Sequence, residues 1–374
     1  MSRSPLALIR FVSLTLPLAA LALAVTAPLR ADDDFYRYET AKVADDIFLF
    51  RGTAVAGTWV SGNVVLVIND HDALVVDSGF LPSVGRALVA EIKKLTEKPV
   101  RTLVITHWHG DHWQGNEAFA AAWPGLEIIM TEPGYRALLD KGFFWLKSNY
   151  ATAYAQGIAF REEVLKNGKL PDGREVTDEL APRIRKRIDN MQREIAEMRT
   201  VQPTLPTMTF CDELILRRGE REFRLHFLGT GNTAGDTVTY LPRERLLLAG
   251  DLVVFPSPYE SEAFSREWLD VMKRLRDFDF DRVIPGHGPV LEGKAYVEYL
   301  VALFEEIIRQ VNKFGQANGP ATTLEQLQAA VTHDTVKAEL AKNPAHAEFL
   351  AQLDPGFVSQ ALQRAHPKAL AGTL

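Results

Sequence analysis

Short apolar runs at residues 47–51, 63–69 and 73–77, separated by Gly- and Asp-rich turns, predict an antiparallel meander across residues 46–80. The period then changes. Residues 83–96 read as a helix and residues 100–105 as a buried strand, and a further helix–strand stretch spans 116–131. From about residue 133 to 198 the pattern is helical. Within 178–199, Ile184, Ile188, Met191, Ile195 and Met198 recur at helical spacing among many charges, which predicts an amphipathic insertion. Strand-type runs return at 208–210, 214–216, 223–228, 237–241 and 246–249, followed by a helix at 265–276 and a strand at 281–285. The remainder, 296–374, is largely helical, most clearly at 296–314, and carries no readable motif. Two β-rich halves with helices outside them define a mixed α/β chain.

Composition adds a compartment and removes a function class. Arg3 and Arg10 precede an apolar stretch at 11–27 and then Ala31 and Asp32, the pattern of a secretory signal peptide over residues 1–31. A membrane anchor is the competing reading, since such a stretch is near the lower limit for spanning. Cleavage would leave a periplasmic or secreted protein with no stable membrane span. With 47% hydrophobic and 24% charged residues, the 374-residue chain agrees with a globular enzyme rather than a binding tail. Its formal charge of -6 disfavours nucleic-acid partners. Cys211 is the single cysteine, so no intrachain disulfide can form, and it reads as a small buried apolar residue.

The chemistry concentrates in Thr106-His107-Trp108-His109-Gly110-Asp111-His112, directly after the strand run 100–105. Gly110 signals a turn, so three imidazoles and a carboxylate converge at the strand's C-terminal edge. Packing has no use for such a cluster, and without a cation its members would destabilise one another. Nitrogen and oxygen donors suit zinc, and iron or manganese would accept the same set.

The cluster resembles the H-x-H-x-D-H signature of the metallo-β-lactamase superfamily of hydrolases. Other pieces stand in the expected order: Asp77-Ser78-Gly79, Gly231-Asn232-Thr233-Ala234-Gly235-Asp236, Ala249-Gly250-Asp251 and Pro285-Gly286-His287-Gly288. The resemblance covers roughly residues 43–295. It implies a four-layer αβ/βα sandwich as the catalytic domain, with a helical insertion at about 133–200 and a helical C-terminal extension at 296–374. It also implies one metal site built on His107, His109 and the histidine of a G-H-T motif. Here that motif reads Gly231-Asn232-Thr233. The other site takes Asp111, His112 and His287, with Asp251 as the bridge. An amide oxygen is a weaker ligand than imidazole, so tight binding is expected at the Asp111 site and weaker binding at the His107 site, with one or two zinc ions per chain. Asn232 is alternatively a turn residue, and His226 is a remote candidate to supply the missing imidazole.

A metal with an open position lowers the pKa of bound water from 15.7 toward about 7 and polarises a carbonyl or phosphoryl oxygen. The expected activity is therefore hydrolysis of an ester, thioester, lactone or lactam-type bond in a small molecule. Asp111 or Asp251 would orient the water, and Asn232 would donate to the oxyanion if it is not a ligand. Asp77 reads as a support for the ligand histidines or as a turn former. Phe143, Phe144, Trp145 and Tyr150 read as core or as pocket lining, and Tyr259 as a turn residue or a pocket residue. The insertion reads as a lid, as a hairpin packed on the body, or as the surface of a homodimer. A non-catalytic metal-binding accessory protein of the cell envelope is the alternative from another class.

Overall fold

The computed structural model describes residues 37–53, 60–146, 150–171, 173–259, 262, 265–319 and 323–366. The leader reading for residues 1–31 lies outside them. The chain begins with β1 (Arg37–Ala44), β2 (Ile47–Thr53), β3 (Val64–Ile68), β4 (Ala73–Val76), α1 (Pro82–Leu95) and β5 (Val100–Val104). It continues through α2 (Gly110–Trp113), α3 (Asn116–Ala122), β6 (Glu127–Thr131), α4 (Glu132–Ala137), a π-helical turn (Leu138–Gly142), α5 (Tyr150–Asn167), α6 (Leu180–Met198) and β7 (Met208–Phe210). The second half holds β8 (Glu213–Arg218), β9 (Arg221–Phe227), β10 (Thr237–Leu241), β11 (Leu246–Val254), α7 (Ser265–Arg276), β12 (Arg282–His287) and β13 (Leu291–Glu292). Helices α8 (Ala295–Asn318), α9 (Leu324–Ala330), α10 (His333–Leu340), α11 (Ala347–Leu350) and α12 (Pro355–Ala365) close the described chain.

The strands form two sheets. The first has the order β1-β2-β3-β4-β5-β6-β7, antiparallel through β4 and parallel from β4 to β7. The second has the order β13-β12-β11-β10-β9-β8, with β11 and β12 its one parallel pair.

Because successive strand residues point to opposite faces, apolar runs buried on both sides sort themselves between two cores. In β3, Val65 and Val67 join the layer between the sheets, whereas Val64, Leu66 and Ile68 join Val84, Leu88 and Ile92 of α1 on the outer face. In β11, Leu246 and Leu248 enter the layer between the sheets, and Leu247 and Ala249 pack with Trp268 of α7 and Leu300 and Phe304 of α8. Each Val, Leu, Ile or Phe side chain so buried contributes about 1.5–3 kcal/mol. Helix, sheet, sheet, helix is the resulting order of layers, the expected αβ/βα sandwich.

The helical stretch after β6 divides into α4, the π turn, α5 and α6 rather than running as one length. Tyr154 of α5 and Met191 and Met198 of α6 share the core cluster of the first sheet, and the Ser83 hydroxyl donates to Glu197 at 2.8 Å. These contacts pack α6 on the body. Leu327, Val336 and Phe357 of the C-terminal helices join the cluster of α7 and α8, completing the fourth layer. Cys211 is exposed, contrary to the sequence expectation. Phe210, the last residue of β7, takes the core position, and Cys211 falls in the turn that follows. Among the described residues no helix is long and apolar enough to cross a membrane.

Candidate metal centre

The parallel strands β4 and β5 end together, and their exits build one side of the site. Asp77, which follows β4, is buried and takes a positive φ of 63°. Its backbone N–H donates to Val104 O at 2.8 Å, while its carboxylate accepts from Thr106 N–H and Thr106 Oγ1, each at 2.8 Å. The same carboxylate lies 2.7 Å from His112 Nδ1, so that nitrogen carries the donated proton and His112 Nε2 is left turned toward the cluster. Gly62 lies against this ring: a Cβ there would stand 2.6 Å from His112 Cε1.

The second sheet supplies the other side. Asp251 stands within β11 and His287 ends β12. Asp251 Oδ2 is 3.6 Å from His107 Nε2, and Asp251 Oδ1 is 3.4 Å from His112 Nε2 and 3.5 Å from His287 Nε2. Asp111 Oδ2 is 3.1 Å from His287 Nε2 and 3.5 Å from His112 Nε2. Two donor groups result, His107–His109–Asp251 and Asp111–His112–His287, each with ligand atoms within 4.8 Å of one another. Ligands at about 2.0–2.1 Å from a tetrahedral zinc lie about 3.3 Å apart, close to these spacings. Among the described residues, the buried Nε2 atoms of His107 and His112 and Oδ1 of Asp251 have no hydrogen-bond partner. Buried polar atoms left in that state cost about 1–3 kcal/mol each, and a cation between them would remove the cost.

Asn232 is 1% exposed, and its amide nitrogen has no hydrogen-bond partner among the described residues. The turn that carries it is held by its neighbours: Asp236 accepts from Thr233 N–H at 2.8 Å and from Thr233 Oγ1 at 3.1 Å. Burial raises the Asp236 carboxyl to about 7 against the pull of those bonds. His226 is not brought to the cluster. It sits 3.8 Å from Glu213 and packs edge-on against Phe278.

The clamp beside the ligands has no local signature among its residues. Trp108, between His107 and His109, donates its indole N–H to Glu262 at 2.8 Å, and Glu262 also pairs with Lys141 of the π turn. Phe143 packs against Trp113, whereas Phe144 and Trp145 are 57% and 40% exposed. The side chain of Tyr150 lies outside the described residues. Tyr259 is 43% exposed, and partial burial together with the Asp111 carboxylate raises its phenol.

Electrostatics divide the two groups. Burial disfavours charge on His112, but the carboxylates of Asp111, Asp251 and Asp77 outweigh it and lift the ring to about 9. Burial is likewise overcome at His287 by Asp251 and Asp111, which raise it well above the ordinary imidazole value. Burial and the neighbouring rings hold His107 far below that value, and burial keeps His109 at about 4 despite Asp251 and Asp111. At neutral pH the first group is therefore neutral at its imidazoles, and the second is protonated, so a metal binding there would displace protons. Metal affinity at Asp111–His112–His287 is expected to rise by about tenfold per pH unit for each proton displaced, from about pH 6 toward the His112 value of about 9. Calorimetry in buffers of different ionisation enthalpy counts the protons; none released would contradict the assignment.

A family model described as the metallo-beta-lactamase superfamily matches residues 57–287. The linear primary-alkylsulfatase of Pseudomonas sp. (strain ATCC 19151) is 23% identical over 252 residues, 64% of this chain and 44% of that protein. The chain thus spans less than half the length of that curated relative. A solved metallo-beta-lactamase from Pontibacter korlensis superposes with a TM-score of 0.52 at 19% identity, covering 72% of this chain and 99% of that one. That likeness concerns the fold.

Proposed function

The chain belongs to the metallo-beta-lactamase superfamily of metal-dependent hydrolases, and on that premise we propose that it uses zinc to hydrolyse an ester-type bond in a small molecule bearing an apolar group. The observation that carries this reading is Asp251, whose two oxygens face the two donor groups separately. His107, His109 and Asp251 would hold one ion, and Asp111, His112 and His287 would hold another, with Asp251 shared. Zinc bound there supplies an acidified water and a Lewis acid for the oxygen of the scissile bond. Asp111 and Asp251 present anionic oxygens that can orient the attacking water and accept its proton. Asp77 keeps His112 in the tautomer that offers Nε2. Asn232 contributes either its amide oxygen as a weak ligand or its nitrogen as a donor to a developing oxyanion.

The apolar group is suggested by the rim. The π turn reaches the ligand segment through Lys141 and Glu262, and exposed Leu139, Phe144 and Trp145 lie in or just after it. The alkylsulfatase relative adds a sulfate ester to the ester, thioester, lactone and lactam bonds worth testing. The leader pattern supports an exported protein, periplasmic or secreted.

Turnover of alkyl sulfate, carboxylic ester, thioester, lactone and lactam substrates, with and without chelator, tests the reading. Activity on at least one is expected, lost on chelation and restored by zinc. Silence on all of them with metal bound would favour a non-catalytic accessory protein. Elemental analysis of Asn232→His provides a separate check. About one zinc per chain is expected to rise to about two, and equal content in both proteins would mean that the first donor group is already complete.

A further inference from the structure

We propose that Asn63 is a positioning residue for His287, and that the Asp111–His112–His287 group depends on it to bind metal; this rests on the reading that the group holds a metal. Asn63 immediately precedes β3 in the first sheet and is 4% exposed. Its backbone N–H donates to Gly286 O at 2.7 Å, and its amide Nδ2 donates to Pro285 O at 2.8 Å and to Gly288 O at 2.9 Å. Three carbonyls flanking His287 on both sides are thus pinned by one residue from the opposite sheet.

The two histidines of this group are oriented by different means. His112 is fixed through its own ring, because Asp77 holds Nδ1. Among the described residues no side chain holds His287 Nδ1 in that way, so the aim of this ring is set by the backbone that carries it. Gly62 and Asn63 together determine the gap: Gly62 is pressed against the His112 ring, and the next residue ties down the His287 segment. The ring centroids stand 5.4 Å apart. Asparagine suits the position because its NH2 group has two protons to give to two carbonyls. Leucine fills a similar volume and donates nothing; an ionised aspartate would turn an anion toward two carbonyl oxygens.

The test is metal binding by the full chain, measured as Co2+ titration against a competing chelator. Asn63→Leu and Asn63→Asp are expected to weaken one metal equivalent by about 10–100-fold, the usual effect of losing a group that orients a metal ligand. Asn63→Ser, which retains the backbone bond and one hydroxyl donor, is the milder variant should those two fail to fold, and its affinity is expected to fall between. Tyr240→Phe removes a hydrogen bond to Asp279 O on the outer side of the second sheet. It is expected to lower thermal stability without changing metal affinity, separating positioning from general loosening. Wild-type affinity for every equivalent in the Asn63 variants would overturn the proposal and leave the metal-site reading standing. A wild-type chain that binds no Co2+ would overturn both.

Discussion

Asp251→Ala is expected to lower kcat by about a thousandfold or more and to reduce the bound metal. Asp251 faces both donor groups with its carboxylate, 3.6 Å from His107 on one oxygen and 3.4 and 3.5 Å from His112 and His287 on the other. Its loss removes negative charge from both groups at once. Lewis-acid stabilisation of a transition state is worth several kcal/mol, and each 1.36 kcal/mol is a tenfold change in rate, so about 4 kcal/mol gives the expected factor. The fold makes room for this carboxylate: a Cβ at Gly286 would lie 1.9 Å from Asp251 Oδ1. Full metal content with a rate within about tenfold of wild type would remove Asp251 from its bridging place.

The largest expected effect on stability comes from Gly235→Ala. The loop that carries Asn232 meets the first turn of α4 backbone to backbone, and a Cβ on Gly235 would stand 2.0 Å from Gly134 N and 2.4 Å from Gly134 Cα. Thr131 joins the same contact, donating its hydroxyl to Gly235 O at 2.7 Å while accepting from Gly134 N–H. No flexible side chain is available to move aside, so the cost should lie at or above the upper end of the usual overpacking range, about 3 kcal/mol. Gly315→Ala is the matched control. Within α8 a Cβ at that position meets nothing within 4 Å, and alanine is expected to stabilise the helix by about 0.5–1 kcal/mol. Denaturation midpoints of the two variants should move in opposite directions; a neutral Gly235→Ala would mean that the loop and α4 separate readily.

What could be read from the residues depended on how local each signal was. His107, His109, Asp111 and His112 announce themselves because they are neighbours in the chain, whereas Asp251 and His287 were legible as ligands only through the resemblance, in motifs that follow buried apolar runs. Strands β3 and β11 were legible from such runs, since uninterrupted apolar residues must be covered on both faces. β1 was not: its residues are mostly exposed and, among the described residues, it pairs with β2 alone. The break between α4 and α5 was missed because helical spacing persists through the π turn. Asn63 had no local signature at all, its side-chain partners lying 222 and 225 residues away. The Trp108–Glu262 contact spans 154 residues and was equally hidden.

Each donor group draws on both sheets: His107, His109, Asp111 and His112 follow β5, while Asp251 and His287 belong to β11 and β12. Neither half of the chain therefore holds a complete donor group, and the full coordination of an ion would require both. An ion bound there would act as a rivet between the closed halves. Binding to the native state alone adds about 4 kcal/mol when free metal is a thousandfold above Kd. Separation of the halves must break coordination first, so slow metal release would act as a brake on unfolding.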